Sequence, residues 1–114
     1  MMPLPPVTNR TSGPGPAVSL LLDPALRAFQ GHFPGDPLLP GVVQVDWALR
    51  LGTEAFGPLG VFRGLERVKF LAPMRPGETV ELRLARPAPD RVTYVYAAGD
   101  AKKASGTLLF RAGP

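Results

Sequence analysis

The run Gly41 to Phe56 constrains this chain more than any other segment. Val42, Val45, Leu49, Gly52 and Phe56 recur at three- and four-residue steps, the spacing of one helical face. Val43, Trp47, Ala48, Leu51 and Ala55 are apolar too, so the predicted helix is greasy around most of its circumference. Such a helix needs cover on nearly all sides. Gln44, Asp46, Arg50, Thr53 and Glu54 are its polar exceptions, and Gly57-Pro58 ends it.

The rest of the chain supplies the cover. Val18 to Leu22 reads as a short first strand. Asp23 and Pro24 have the residue types of an N-cap and first helical position, so a brief helical turn is expected there. After the helix, the stretches Leu65 to Phe70, Glu78 to Arg86, Arg91 to Ala98 and Ala104 to Arg111 alternate apolar and polar residues, with breakers between them. Period-two alternation with short connections predicts an antiparallel meander with one face buried. One greasy helix and such a sheet pack by curling the sheet round the helix. The expected architecture is α+β, a hot-dog fold, over residues 17–114. Residues 1–16 hold five prolines and two glycines and read as a flexible tail.

Composition removes several functions. There is no cysteine, hence no disulfide, thiolate nucleophile or Cys-ligated metal. A single histidine leaves a zinc site without ligands. Phosphate-loop, dinucleotide-turn and nucleophile-elbow patterns are missing, so no cofactor is expected. Ten of the thirteen basic residues are arginine, spread along the chain without a basic stripe, which argues against nucleic acid. No run approaches a membrane span, and no signal peptide is visible, so the expected location is the cytoplasm. The net charge of +4 suits an acidic protein partner.

The one histidine, His32, lies in a segment stiffened by Gly31, Pro34, Gly35, Pro37 and Pro40. It reads either as a loop histidine satisfying a carbonyl or as a neutral base near pH 7. Asp46, between Val45 and Trp47, reads as a solvated acid or as a desolvated general acid with a raised pKa. Gly41 either simply starts the helix or offers an unpaired N–H to an oxyanion at the positive end of the helix dipole. Tyr94 and Tyr96 read as sheet packing rather than as catalysts.

The motif His32-Phe33-Pro34-Gly35-Asp36-Pro37-Leu38-Leu39-Pro40-Gly41, with Asp46 fourteen residues after the histidine, resembles the 3-hydroxyacyl-acyl-carrier-protein dehydratases of the hot-dog fold. Gln44-Val45-Asp46-Trp47-Ala48 is most similar to the short branch that includes aryl-polyene-type enzymes, and Arg67 to Glu78 resembles the strand and turn after the family's helix. The resemblance covers residues 29–86 and implies roles. His32 would take the C2 proton of a 3-hydroxyacyl thioester, and Asp46 would protonate or hold the departing C3 hydroxyl. Gly41, with Gly35 and Val42, would form the oxyanion and substrate-binding set. It also implies a dimer whose histidine and acid come from opposite subunits, and a substrate carried on acyl carrier protein. Arg63, Arg67, Lys69 and Arg75 read either as carrier-protein contacts or as a solvated strand face. Most members have Glu at the position of Asp46; Asp occurs in the related branch that also isomerises the double bond. A hot-dog thioesterase and a non-catalytic partner subunit are the rival readings.

Overall fold

The computed structural model describes residues 3–12, 15–30 and 38–112. Six strands and one long helix follow in the order β1 (Val7–Thr11), β2 (Ala17–Leu21), a 3-10 turn (Arg27–Phe29), α1 (Gly41–Phe56), β3 (Val61–Phe70), β4 (Thr79–Ala88), β5 (Arg91–Ala98) and β6 (Ala101–Arg111). The strands form one antiparallel sheet in the order β1-β2-β4-β5-β6-β3, and α1 packs across it. This is the expected hot-dog arrangement.

Alternation in the sequence builds the buried face. Val80, Leu82 and Leu84 of β4, Val92, Tyr94 and Tyr96 of β5, and Ala104, Leu108 and Phe110 of β6 are all buried. Large residues on β5 face small ones on β6: Tyr96 stands opposite Ala104, and Tyr94 opposite Gly106. A Cβ on Gly106 would lie 2.6 Å from the Tyr94 hydroxyl, so glycine is what lets that ring lie across the strand. From the helix, Val43, Gln44, Trp47, Ala48, Leu51 and Gly52 enter this core. Trp47 is fully buried. Gly57 at φ 80° ends the helix, its N–H donating to the Thr53 carbonyl at 2.9 Å.

Four expectations need correction. Residues 7–11, within the expected tail, form β1, paired antiparallel to β2, with Val7 packed against the core. Backbone hydrogen bonding carries this strand, because its exposed residues Thr8, Asn9, Arg10 and Thr11 give no apolar period. Asp23 does not cap a helix. Its Oδ1 accepts from the Ala25 N–H at 2.8 Å, a local side-chain turn, and the helical turn starts later, at Arg27.

The strands after the helix are not a simple meander. β4, β5 and β6 pair in sequence, but β3 pairs with β6 at the far edge. Residues 71–78 make the crossing. Leu71 and Ala72 N–H groups donate to the Lys103 carbonyl, Met74 is fully buried, and the Gly77 N–H donates to the Leu22 carbonyl. Pro73 and Pro76 restrict this connection and remove donors that a tight hairpin would use. Finally, the helix is not covered all round. A single sheet layer buries one face, and Val42 remains 82% exposed.

Candidate active site

The helix start is built by its neighbours. The Leu39 N–H donates to the Met74 carbonyl at 2.9 Å, which ties the strand-crossing segment to the residues before the helix. Pro40 is the N-cap in extended conformation, and its carbonyl accepts from the Val43 and Gln44 N–H groups at 3.1 Å each. Among the described residues, no acceptor meets the N–H of Gly41 or Val42. Those are the free donors of a first helical turn, at the positive end of the dipole.

A cleft of about 370 Å³ opens at this point. Pro40, Gly41 and Gln44 form one wall, and Phe70, Leu71 and Pro73 the other. The Phe70 ring leans on Gly41: a Cβ there would lie 2.7 Å from the Phe70 Cζ. Glycine at 41 therefore has a steric reason, and the adjoining donor is reachable only where no side chain intervenes. Phe70 is itself 62% exposed, so the wall it makes faces outward.

Asp46 lies elsewhere. Five helical steps put it about 140° round the axis from Gly41, and it does not line the cleft. It lies beside the partly buried Val45 and one turn from the exposed Val42. Its side chain is 30% exposed and pairs with Arg50, Oδ2 to Nη1 at 3.5 Å, one turn along. In the single chain the acid is only partly enclosed: the large neighbour Trp47 is buried in the core, while the Asp46 side chain keeps 30% of its surface exposed. Within one chain, Gly41 belongs to the cleft and Asp46 does not. His32 and Gly35 lie outside the described residues.

Two residues gain roles the sequence did not assign. Tyr96 packs in the sheet as expected, but its hydroxyl also donates to the Gln44 carbonyl at 2.6 Å, pinning the helix to β5. Burial, then the neighbouring Tyr94, then the Asp46 charge hold this hydroxyl well above the ordinary tyrosine value of 10.0, so it stays protonated as a donor. Gln44 is 5% exposed, and its Nε2 donates to the Leu39 carbonyl at 3.0 Å. An amide on the buried side of an apolar helix was the available signal for it.

An antiparallel sheet wrapped on one helix, with a cleft at the helix N-terminus, defines the hot-dog class. A chain of the dehydratase heterocomplex ApeI:P from Xenorhabdus doucetiae superposes with a TM-score of 0.84 at 32% identity, covering 92% of this chain and 96% of that one. An uncharacterized protein from Erwinia carotovora subsp. atroseptica gives 0.81 at 32% identity, over 94% and 95%. A thioesterase superfamily protein, at 0.62 and 20% identity, shares the fold alone.

The family model for ApeI-like dehydratases (ApeI dehydratase) matches residues 9–107, and the chain belongs to that family. Among curated relatives, the 3-hydroxyacyl-acyl-carrier-protein dehydratase FabZ of Acetivibrio thermocellus is 43% identical over 47% of this chain and 42% of its own length. FabZ of Oenococcus oeni is 40% identical over 49% and 45%. The chain therefore matches less than half the length of these relatives.

Proposed function

We propose that this protein removes water from a 3-hydroxyacyl thioester carried on acyl carrier protein, giving the trans-2-enoyl thioester, in the cytoplasm and without a cofactor. The observation that carries the reading is the pair of N–H groups at Gly41 and Val42 that meet no acceptor among the described residues, at the edge of an apolar cleft and, for Gly41, five residues before an acid. The thioester carbonyl accepts from the Gly41 N–H, which stabilises the charge that develops when C2 loses its proton. His32 takes that proton. The C3–O bond then breaks, and Asp46 gives the leaving hydroxyl the proton that completes water. Gly35 and Val42 belong to the substrate-binding set in this reading.

Asp46 acts across an interface in this reading. Val42 is exposed and Asp46 partly so, and the β3 side exposes Val61, Phe62, Leu65, Phe70 and Leu71. We take a second copy of the chain as the cover, so that Asp46 of one subunit meets His32 of the other. The positive net charge of +4 favours approach of an acidic carrier protein.

Enoyl-thioester hydration, the reverse reaction, tests the assignment. His32→Ala and Asp46→Asn each lower the rate by roughly 10²-fold or more and leave thermal unfolding unchanged. Full activity in either variant removes that residue from the mechanism. A thiol-release assay separates the thioesterase reading, because dehydration frees no thiol. Activity that appears only after mixing with a paralogous hot-dog chain replaces the homodimer with a heterodimer.

A further inference from the structure

Gln44 is almost wholly committed. Its main-chain N–H donates to the Pro40 carbonyl, its carbonyl accepts from Tyr96, and its Nε2 donates to the Leu39 carbonyl. The amide orientation follows from chemistry, since a carbonyl can only accept and so must face the nitrogen. The one unengaged polar atom is Oε1, which is buried and has no partner among the described residues. A buried acceptor without a donor has lost its hydration with nothing in exchange. Gln44 nevertheless lines the same cleft as Gly41. Main-chain bonds thus fix the residue and the Nε2 bond fixes its amide, leaving one unpaired acceptor on a residue that lines the cleft at the first helical turn.

We propose that Gln44 Oε1 accepts a hydrogen bond from the 3-hydroxyl of the bound hydroxyacyl thioester. This rests on the dehydratase reading and goes beyond it. A hydroxyl carries one donor hydrogen and two acceptor lone pairs. With its hydrogen held by Gln44, a lone pair is left for the acid that protonates the leaving oxygen. The enoyl product has no hydroxyl and leaves Oε1 unpaired. Gln44 is thus a specificity-determining residue that favours substrate over product and over saturated chains.

The test uses the full chain carrying His32→Ala, so that ligands bind without turnover. Isothermal titration compares a 3-hydroxyacyl pantetheine thioester with its 3-fluoro counterpart, in which fluorine replaces the hydroxyl at similar size but cannot donate. The expected result is about ten-fold tighter binding of the hydroxy ligand, with the difference abolished by adding Gln44→Met. Equal affinity for the two ligands without a change at position 44 overturns the proposal, and that comparison does not depend on the variant folding. Equal weakening of both ligands in Gln44→Met, with the preference kept, also overturns it. Gln44 would then only pin the Leu39 carbonyl or meet an N–H of the pantetheine arm. His32→Ala that still hydrates enoyl thioester instead contradicts the assigned base, whatever the titrations give.

Discussion

Strand β1 ends the sheet with Thr8, Asn9, Arg10 and Thr11 turned to solvent, whereas β3 ends it with Val61, Phe62, Leu65 and Phe70 between 37% and 62% exposed. Both are edge strands with unpaired backbone groups, and an edge left long and apolar invites another chain. At the β1 edge, polar side chains and the half-exposed Arg10–Glu54 pair at 2.9 Å discourage that. The β3 edge carries exposed Arg63, Arg67 and Lys69 too, but large apolar side chains stay exposed among them, and the strand is irregular: its register to β6 shifts twice, with Gly64 and Arg67 at positive φ. The cleft holding Gly41 opens beside the end of β3, at Phe70 and Leu71. The comparison teaches that one edge is polar while the other leaves apolar surface exposed on the side where the proposed chemistry occurs.

Leu65→Asp breaks the difference most strongly. A charge buried without a partner at the proposed subunit contact costs about 3–5 kcal/mol. The dimer should dissociate in sedimentation, and dehydration should fall roughly 100-fold or more, while the isolated subunit remains folded. A Leu65→Asp protein that stays dimeric and active would show that β3 is not the contact.

Tyr96→Phe probes the complete middle of the sheet, and its effect is smaller. Loss of the bond to Gln44 lowers stability by about 1 kcal/mol in urea unfolding. The pH dependence has a defined sign. The folded chain keeps the Tyr96 proton at pH values where the unfolded chain, with an ordinary tyrosine value of 10.0, has lost it. Above pH 10 the unfolded state therefore binds fewer protons, and stability falls as pH rises. Tyr96→Phe should flatten that alkaline limb. Arg10→Ala, at the polar edge, has the smallest expected effect, within about 0.5 kcal/mol and without change in oligomeric state.

Legibility in the sequence followed the same division. Helix α1 runs from Gly41 to Phe56 as its spacing predicts, because apolar periodicity and the Gly57 stop act locally. The central strands were equally plain, since Val80, Leu82, Leu84, Val92, Tyr94 and Tyr96 alternate against one core. The edges were not. β1 is held by backbone pairing that leaves no side-chain pattern, and β3's place beside β6 depends on how residues 71–78 cross the fold. At the site, Gly41 was readable from its position at a helix start. The partial exposure of Asp46 was not, because an apolar helix looks alike whether its own sheet or another surface covers it. Gln44 was visible as a letter, but its unpaired Oε1 emerges only once Leu39, Pro40 and Tyr96 are seen to take its other groups.

The central claim is that His32 of one subunit works with Asp46 of another, and subunit complementation tests it most directly. His32→Ala and Asp46→Asn homodimers are each inactive in this account. Unfolded together and refolded as a mixture, half of the dimers carry one of each chain, and each such dimer holds one intact site. Dehydration should return to roughly a quarter of the unmutated rate, as statistical pairing of a twofold dimer requires. A refolded mixture as inactive as its two components would contradict the claim and put both residues in the same chain's site.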